Sequence, residues 1–155
     1  MDKIKRIALV AHDNRKSDLI GWVEWNWELL IKHRLICTGT TGRLVEDVLV
    51  RKKQEHNNTR TVYIHKLKSG PLGGDQQLGA LISDGDIDVL IFFWDPMQPQ
   101  PHDVDVKALS RIAVLYNVVI ADTRATADFV ISSSLFDAPY SPIIKDYASY
   151  INRKL

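Results

Sequence analysis

Apolar positions along this chain fall into two alternating kinds of segment. Ile7-Ala8-Leu9-Val10-Ala11, within residues 4–11, is a short unbroken run, and so is Val89-Leu90-Ile91-Phe92-Phe93 after Asp88. Both have the length and β-rich content of strands buried on two faces. Arg34 to Thr38 and Val118 to Ala121 are briefer runs of that kind. Thr61 to Leu67 alternates apolar with polar residues, as an edge strand does. Between these runs the spacing turns helical: Leu19, Val23, Trp27 and Leu30; then Leu44, Val45, Val48 and Leu49; then Leu78, Leu81 and Ile82, stopped by Gly85; then Val106, Leu109, Ala113 and Tyr116. A short helix is expected around Ala125, Phe129 and Val130. A last one is expected from Ile143 to Leu155, where Ile143, Tyr147, Tyr150 and Ile151 share a stripe. Residues 51–60 are charged and amide-rich, which predicts an exposed loop after a frayed helix end. Trp22 and Trp25 fall off the first stripe and suggest either a subunit contact or packing within the chain.

Strands alternating with helices predict right-handed βαβ units. The expected fold class is α/β: a single three-layer domain over residues 1–155, with a mostly parallel five-stranded sheet and helices on both faces. Such a sheet binds ligands beyond the carboxyl ends of its strands. Four segments follow those ends: His12-Asp13, Thr38 to Gly42, Ser69 to Asp75, and Trp94-Asp95 with the loop through Asp105. Polar and titratable residues concentrate in them.

The second segment, Thr38-Gly39-Thr40-Thr41-Gly42, joins a strand to a helix. Unpaired N–H groups and threonine hydroxyls there can cradle an oxyanion, with Lys16 as a nearby cation; an ordinary capped turn is the alternative. The Gly-Lys-Ser/Thr ending of a nucleotide P-loop is missing. In the third segment Gly70, Pro71, Gly73 and Gly74 crowd ahead of Asp75. Pro71 fixes its own φ, and the glycines let a ligand approach the backbone. Asp75 then begins a helix, either as its cap or as a working carboxylate.

Composition removes several function classes. A net charge of +1 provides no overall field for nucleic acid. No apolar run is long enough to span a bilayer, and the N-terminus shows no signal-peptide pattern. The one cysteine, Cys37, lies in the apolar run Leu35-Ile36-Cys37 and reads as buried filler, so no internal disulfide is expected. A cytoplasmic location is the expectation. His33, His56 and His65 lie in helix-end, loop and edge-strand contexts and receive no role. No zinc-ligand spacing, no Gly-x-Ser-x-Gly elbow and no Gly-x-Gly-x-x-Gly after the first strand occurs. These absences argue against a zinc site, an α/β-hydrolase and a dinucleotide cofactor.

Taken together, Val10-Ala11-His12-Asp13, Thr38 to Gly42, Ser69-Gly70-Pro71-Leu72-Gly73-Gly74-Asp75-Gln76-Gln77, Phe92-Phe93-Trp94-Asp95-Pro96 and Pro101 to Leu109 resemble the methylglyoxal synthase family. Ala125-Thr126-Ala127-Asp128-Phe129 fits as well. The resemblance covers nearly the whole chain in order. It implies conversion of dihydroxyacetone phosphate to methylglyoxal and inorganic phosphate without a cofactor. By motif position, Asp75 resembles the catalytic base, and His102 the residue that polarises the carbonyl and moves protons between the enediolate oxygens. Lys16, Thr38, Gly39, Thr40, Thr41, Ser69 and Gly70 match the phosphate and substrate cradle, and His12 a substrate contact. Asp13, Asp95 and Asp105 match further active-site carboxylates. The family also implies a homo-hexamer. Two departures stand out: the stretch between Gly42 and Ser69 is longer than usual, and Arg153 is out of register with the family's C-terminal arginine. The runner-up is a non-catalytic module, similar to the regulatory domain of carbamoyl phosphate synthetase, that binds small phosphates. Triose-phosphate isomerisation on this fold is a third reading.

Overall fold

A computed structural model describes residues 1–97, 103–147, 150 and 152, and for 103–105 the backbone alone. Strands β1 (Arg6–Ala11), β2 (Arg34–Thr38), β3 (Tyr63–Leu67), β4 (Val89–Phe93) and β5 (Val119–Ala121) form one sheet in the order β3-β2-β1-β4-β5. Every pairing is parallel. Helices α1 (Lys16–Trp25), α2 (Trp27–Leu30), α3 (Gly39–Glu55) and α6 (Arg124–Ser132) pack on one face, and α4 (Gly74–Ser83) and α5 (Asp103–Leu115) on the other.

Period-two alternation divides the strand side chains between two cores. Ile7, Leu9 and Ala11 of β1 join α1, α3 and α6; Ala8 and Val10 face α4 and α5. Since both faces are covered, β1 and β4 carry hardly a polar residue. The amino ends of these two strands are locked by Asp88. It accepts from the Arg6 backbone N–H at 2.8 Å and pairs with the Arg6 guanidinium at 2.9 Å, while Asp86 takes a second guanidinium N–H at 2.8 Å. The Asp88 hydrogen bond raises the Arg6 pKa above its ordinary value.

Two expectations need correction, and one open alternative is settled. The basic segment is helical as far as Glu55, because Arg51 and Lys52 on α3 reach Glu24 on α1 and Glu55 one turn ahead. Trp22 is fully buried: its indole N–H donates to Asp128 at 2.8 Å and its ring meets Phe93 edge-on. It is therefore packed within the chain, whereas Trp25 is 82% exposed. The stripe misled because α1 ends at Trp25 and α2 starts afresh at Trp27, with Asn26 between them. Finally, Ile143 to Tyr147 form no helix; most of the rest of that expected helix lies outside the described residues.

The chain after α6 is fastened beneath the sheet. The fully buried Lys5 donates from Nζ to the carbonyls of Asp2 and Ala138, and Tyr140 N–H donates to the Met1 carbonyl. His33 stacks edge-on against Phe136, and its Nδ1 accepts the Lys5 N–H at 3.1 Å. The neutral ring must therefore carry its proton on Nε2. That nitrogen is buried without a hydrogen-bond partner among the described residues. Burial pushes the His33 pKa down to about 4 from 6.5; Lys5 adds to the effect and Asp137 opposes it.

Two predictions follow from this packing. Between pH 6.5 and 4 the unfolded chain binds a proton at His33 that the folded chain refuses. The stability from this site is complete above pH 6.5 and is lost as pH falls towards 4. His33→Asn, which keeps an acceptor for Lys5, is expected to flatten the fall in melting temperature over that window, a difference on the order of 2 kcal/mol. The second contrasts two glycines of α4. A Cβ at Gly74 would sit 2.1 Å from the Lys68 carbonyl oxygen, while one at Gly79 meets nothing within 4 Å. Gly74→Ala should cost about 1–3 kcal/mol through forced backbone movement. Gly79→Ala should stabilise by about 0.5–1 kcal/mol through helix propensity. Thermal denaturation of the two variants reads both signs.

Candidate active site

From β1 the chain proceeds to β2 and β3 on one side and then crosses back, placing β4 on the other side of β1. At this reversal neighbouring connections leave in opposite directions and open a crevice above the strand ends. A cleft of about 490 Å³ lies there, floored by Val10, Ala11 and Phe92. His12, Asp13 and Lys16 line it from the turn after β1; Thr38, Thr40 and Thr41 from the β2–α3 junction; Ser69, Gly70, Pro71 and Asp75 from the turn before α4. Most of the residues singled out in the sequence thus share one cavity, although they come from three separate loops.

The threonine elbow forms because Thr38 ends β2 in extended backbone and α3 starts at Gly39. Gly39 has φ +20°, and a Cβ there would lie 2.7 Å from Ser69 Cα. Its N–H donates to the Lys68 carbonyl at 3.1 Å. Backbone is therefore pressed against backbone, and only glycine fits. Thr38 and Thr41 are buried. The first turn of the 17-residue α3 presents its N–H groups and the positive end of its dipole at this place. Lys16 Nζ donates to Asp13, whose side chain is 86% exposed. A pair exposed on one side contributes about 0–1 kcal/mol, so a bound anion can exchange for it at little cost.

Asp75 is placed by a tight turn. Gly70–Leu72 make one 3₁₀ turn, with Leu72 N–H donating to Ser69 O at 3.0 Å and Gly73 N–H to Gly70 O at 2.9 Å. Gly73 has φ +93°, the left-handed region that glycine occupies without strain. It is also the N-cap of α4, so Asp75 is not the cap; it stands in the first turn. Its carboxylate folds back over Gly70: a Cβ on that glycine would be 3.1 Å from Asp75 Oδ2. The acid consequently lies against the cleft, beside the cradle loop.

His12 is held from three sides. Its N–H donates to Phe93 O at 3.2 Å, its Nδ1 accepts from Asp95 N–H at 3.1 Å, and its ring meets Phe92 edge-on. Nδ1 is thus an acceptor, and the proton of the neutral ring sits on Nε2. Asp95 does not line the cleft. Asn14 Nδ2 and Met97 N–H each donate to its carboxylate at 2.9 Å and hold its pKa below the ordinary carboxylate value, Asn14 foremost. Asp95 therefore joins the β4 end to the β1 turn that carries His12. Asn14 and the floor residues Val10 and Phe92 were given no role from sequence, although Val10 and Phe92 stand in the quoted motifs; nothing in their local pattern separates a loop amide or a core residue from others of its kind. His102 and the Asp105 side chain lie outside the described residues. Among the described residues no group of three His, Cys, Asp or Glu side chains could hold a metal ion, and no helix is long and apolar enough to cross a membrane.

Known proteins resemble this chain in sequence and fold. The MGS-like domain family model matches residues 19–121. A methylglyoxal synthase of Maridesulfovibrio salexigens is 54% identical, covering 100% of both chains. One of Leptospira interrogans is 51% identical over 97% of this chain and 94% of its own. The crystal structure of methylglyoxal synthase from Elizabethkingia anophelis superposes with a TM-score of 0.87 at 47% identity, over 100% of this chain and 95% of that one. With a cleft built from the family's own motifs and relatives alike from end to end, this chain belongs to the methylglyoxal synthase family.

Proposed function

We propose that the cleft converts dihydroxyacetone phosphate to methylglyoxal and inorganic phosphate, drawing a triose phosphate out of glycolysis. The reading is carried by one juxtaposition: the Asp75 carboxylate folded over Gly70, beside a threonine-lined elbow suited to an anion. The phosphate takes the first-turn N–H groups of α3, the threonine hydroxyls, Ser69 and Lys16. Asp75 removes a proton from the hydroxymethyl carbon. That carbon is a weak acid, so the oxyanion forming at the neighbouring carbonyl must be stabilised by hydrogen-bond donors. His102 fills this role by family resemblance, and His12 Nε2–H is a second donor on the cleft wall.

The enediolate then expels phosphate. The C–O bond to the phosphate breaks with its electron pair leaving on oxygen, the terminal hydroxyl loses its proton as it becomes an aldehyde, and the enolate takes a proton on the former phosphate-bearing carbon. Elimination requires that C–O bond to lie along the π system; held in the plane, the same intermediate would be isomerised instead. The cradle therefore selects the product by fixing the phosphate angle. Asp13 and Asp105 complete the carboxylate set, and Asp95 acts by holding His12.

Asp75→Asn is expected to lower turnover by about 10²–10⁴-fold, the range of a lost general base. Inorganic phosphate should still bind, as calorimetry can read. Unchanged turnover would remove Asp75 from the base role, and wild-type protein that binds phosphate without releasing any from substrate would favour the regulatory-module reading. Lys16→Ala should act chiefly on KM, by about 10–100-fold for a lost charged hydrogen bond. The working form is read as a cytoplasmic homo-hexamer, an assignment supported by family resemblance and by the exposed Trp25 ring. Light scattering should give six times the 17.6 kDa chain mass; a monomer would reject it.

A further inference from the structure

Asp75 and the threonine elbow belong to different elements, yet the reaction proposed above needs them in fixed register. The helix that carries Asp75 and the elbow both contact the backbone of one residue, Lys68. Its carbonyl accepts the Gly39 N–H at 3.1 Å and is the atom that a Cβ on Gly74 would strike at 2.1 Å. Its N–H is taken by the side chain of Gln77, whose Oε1 accepts at 2.8 Å. Gln77 stands in α4 two residues beyond Asp75, and its own N–H donates to Gly73 O at 3.1 Å. The Lys68 backbone is therefore held by the first residue of α3 at its carbonyl and by the helix that carries Asp75 at its N–H.

We propose that Gln77 is a positioning residue, whose amide oxygen, by holding the Lys68 N–H, fixes the α4 turn carrying Asp75 against the β2–α3 anion elbow. The carboxamide lies outside the cleft lining, so it acts through the backbone. Without this bond α4 remains seated by Leu78 and Ile82, both fully buried, and the chain stays folded. What is lost is the angular setting of the first turn, to which proton transfer is sensitive: a displacement near 1 Å at a reacting group costs up to about 10²-fold in rate. The elbow keeps its own bond from Gly39 to Lys68, so anion affinity does not depend on Gln77.

The inference rests on the activity proposed above, and the test separates the two. Gln77→Met keeps length and removes the acceptor; Gln77→Glu keeps an acceptor oxygen. In Gln77→Met, kcat is expected to fall about tenfold, with the dissociation constant of inorganic phosphate within about twofold of wild type and hydrogen exchange of the Lys68 amide at least about tenfold faster. Gln77→Glu should retain at least about a third of wild-type kcat and restore the slow exchange, its added charge appearing in KM. Unchanged kcat in Gln77→Met, parallel loss of phosphate affinity and turnover, or failure of Gln77→Glu to rescue would each overturn the positioning role. An inactive wild type whose Lys68 exchange still responds to Gln77→Met would instead overturn the activity and leave the contact standing.

Discussion

The structure depends on a close approach of backbones at the end of β3. Gly39, Lys68, Ser69 and Gly74 meet there at distances that leave no room for a Cβ on either glycine. Three consequences come from that one constraint. The cradle at the head of α3 and the turn before α4 become a single wall. Gly39 and Gly73 adopt positive φ, which directs the chain sharply into each helix. Asp75 is delivered in the first turn of α4 with its carboxylate over Gly70, not spent as a cap. The glycines there are needed for proximity as much as for flexibility.

Everything beneath this rim serves to hold the strand ends level. The two cores clamp the sheet from both faces, and Arg6 with Asp88 ties β1 to β4 at the far end. Asp95 and Asn14 repeat that tie at the near end through His12. A slip of one residue in the β1–β4 register would turn Val10 and Phe92 away from the cleft floor. Fixed register thus makes three independent loops behave as one site. The ion pairs contribute specificity of alignment here more than raw stability, since pairs that remain partly exposed each contribute about 1 kcal/mol or less.

Within the cleft, charge is distributed unevenly and to a purpose. Lys16, paired with Asp13, and the amino end of α3 line the cleft together with Asp75 and the Gly70 turn. The proposed substrate, with an anionic tail and a weakly acidic carbon, would meet a group suited to each. His12, whose Nδ1 accepts the Asp95 N–H, lines the same cleft.

Sequence alone determined the class of fold, the order of strands and helices, and the loops on which chemistry would fall. These follow from local rules: unbroken apolar runs for doubly covered strands, helical spacing between them, and topology that sends parallel strand ends to one rim. The Gly-Gly-Asp-Gln-Gln and Phe-Trp-Asp-Pro motifs carried the family as well. Sequence was less informative where the deciding contact was distant. Trp22 looked misplaced because its partners, Asp128 and Phe93, lie far along the chain. The helical run to Glu55 was hidden because its support comes from Glu24 on another helix. Only the tertiary structure decided that Asp75 lies over Gly70 in one cleft with the threonines, that the Asp95 N–H holds His12, and that Gln77 reaches Lys68. Direction and distance between side chains on separate elements are set by packing, and no periodicity along one strand of sequence encodes them.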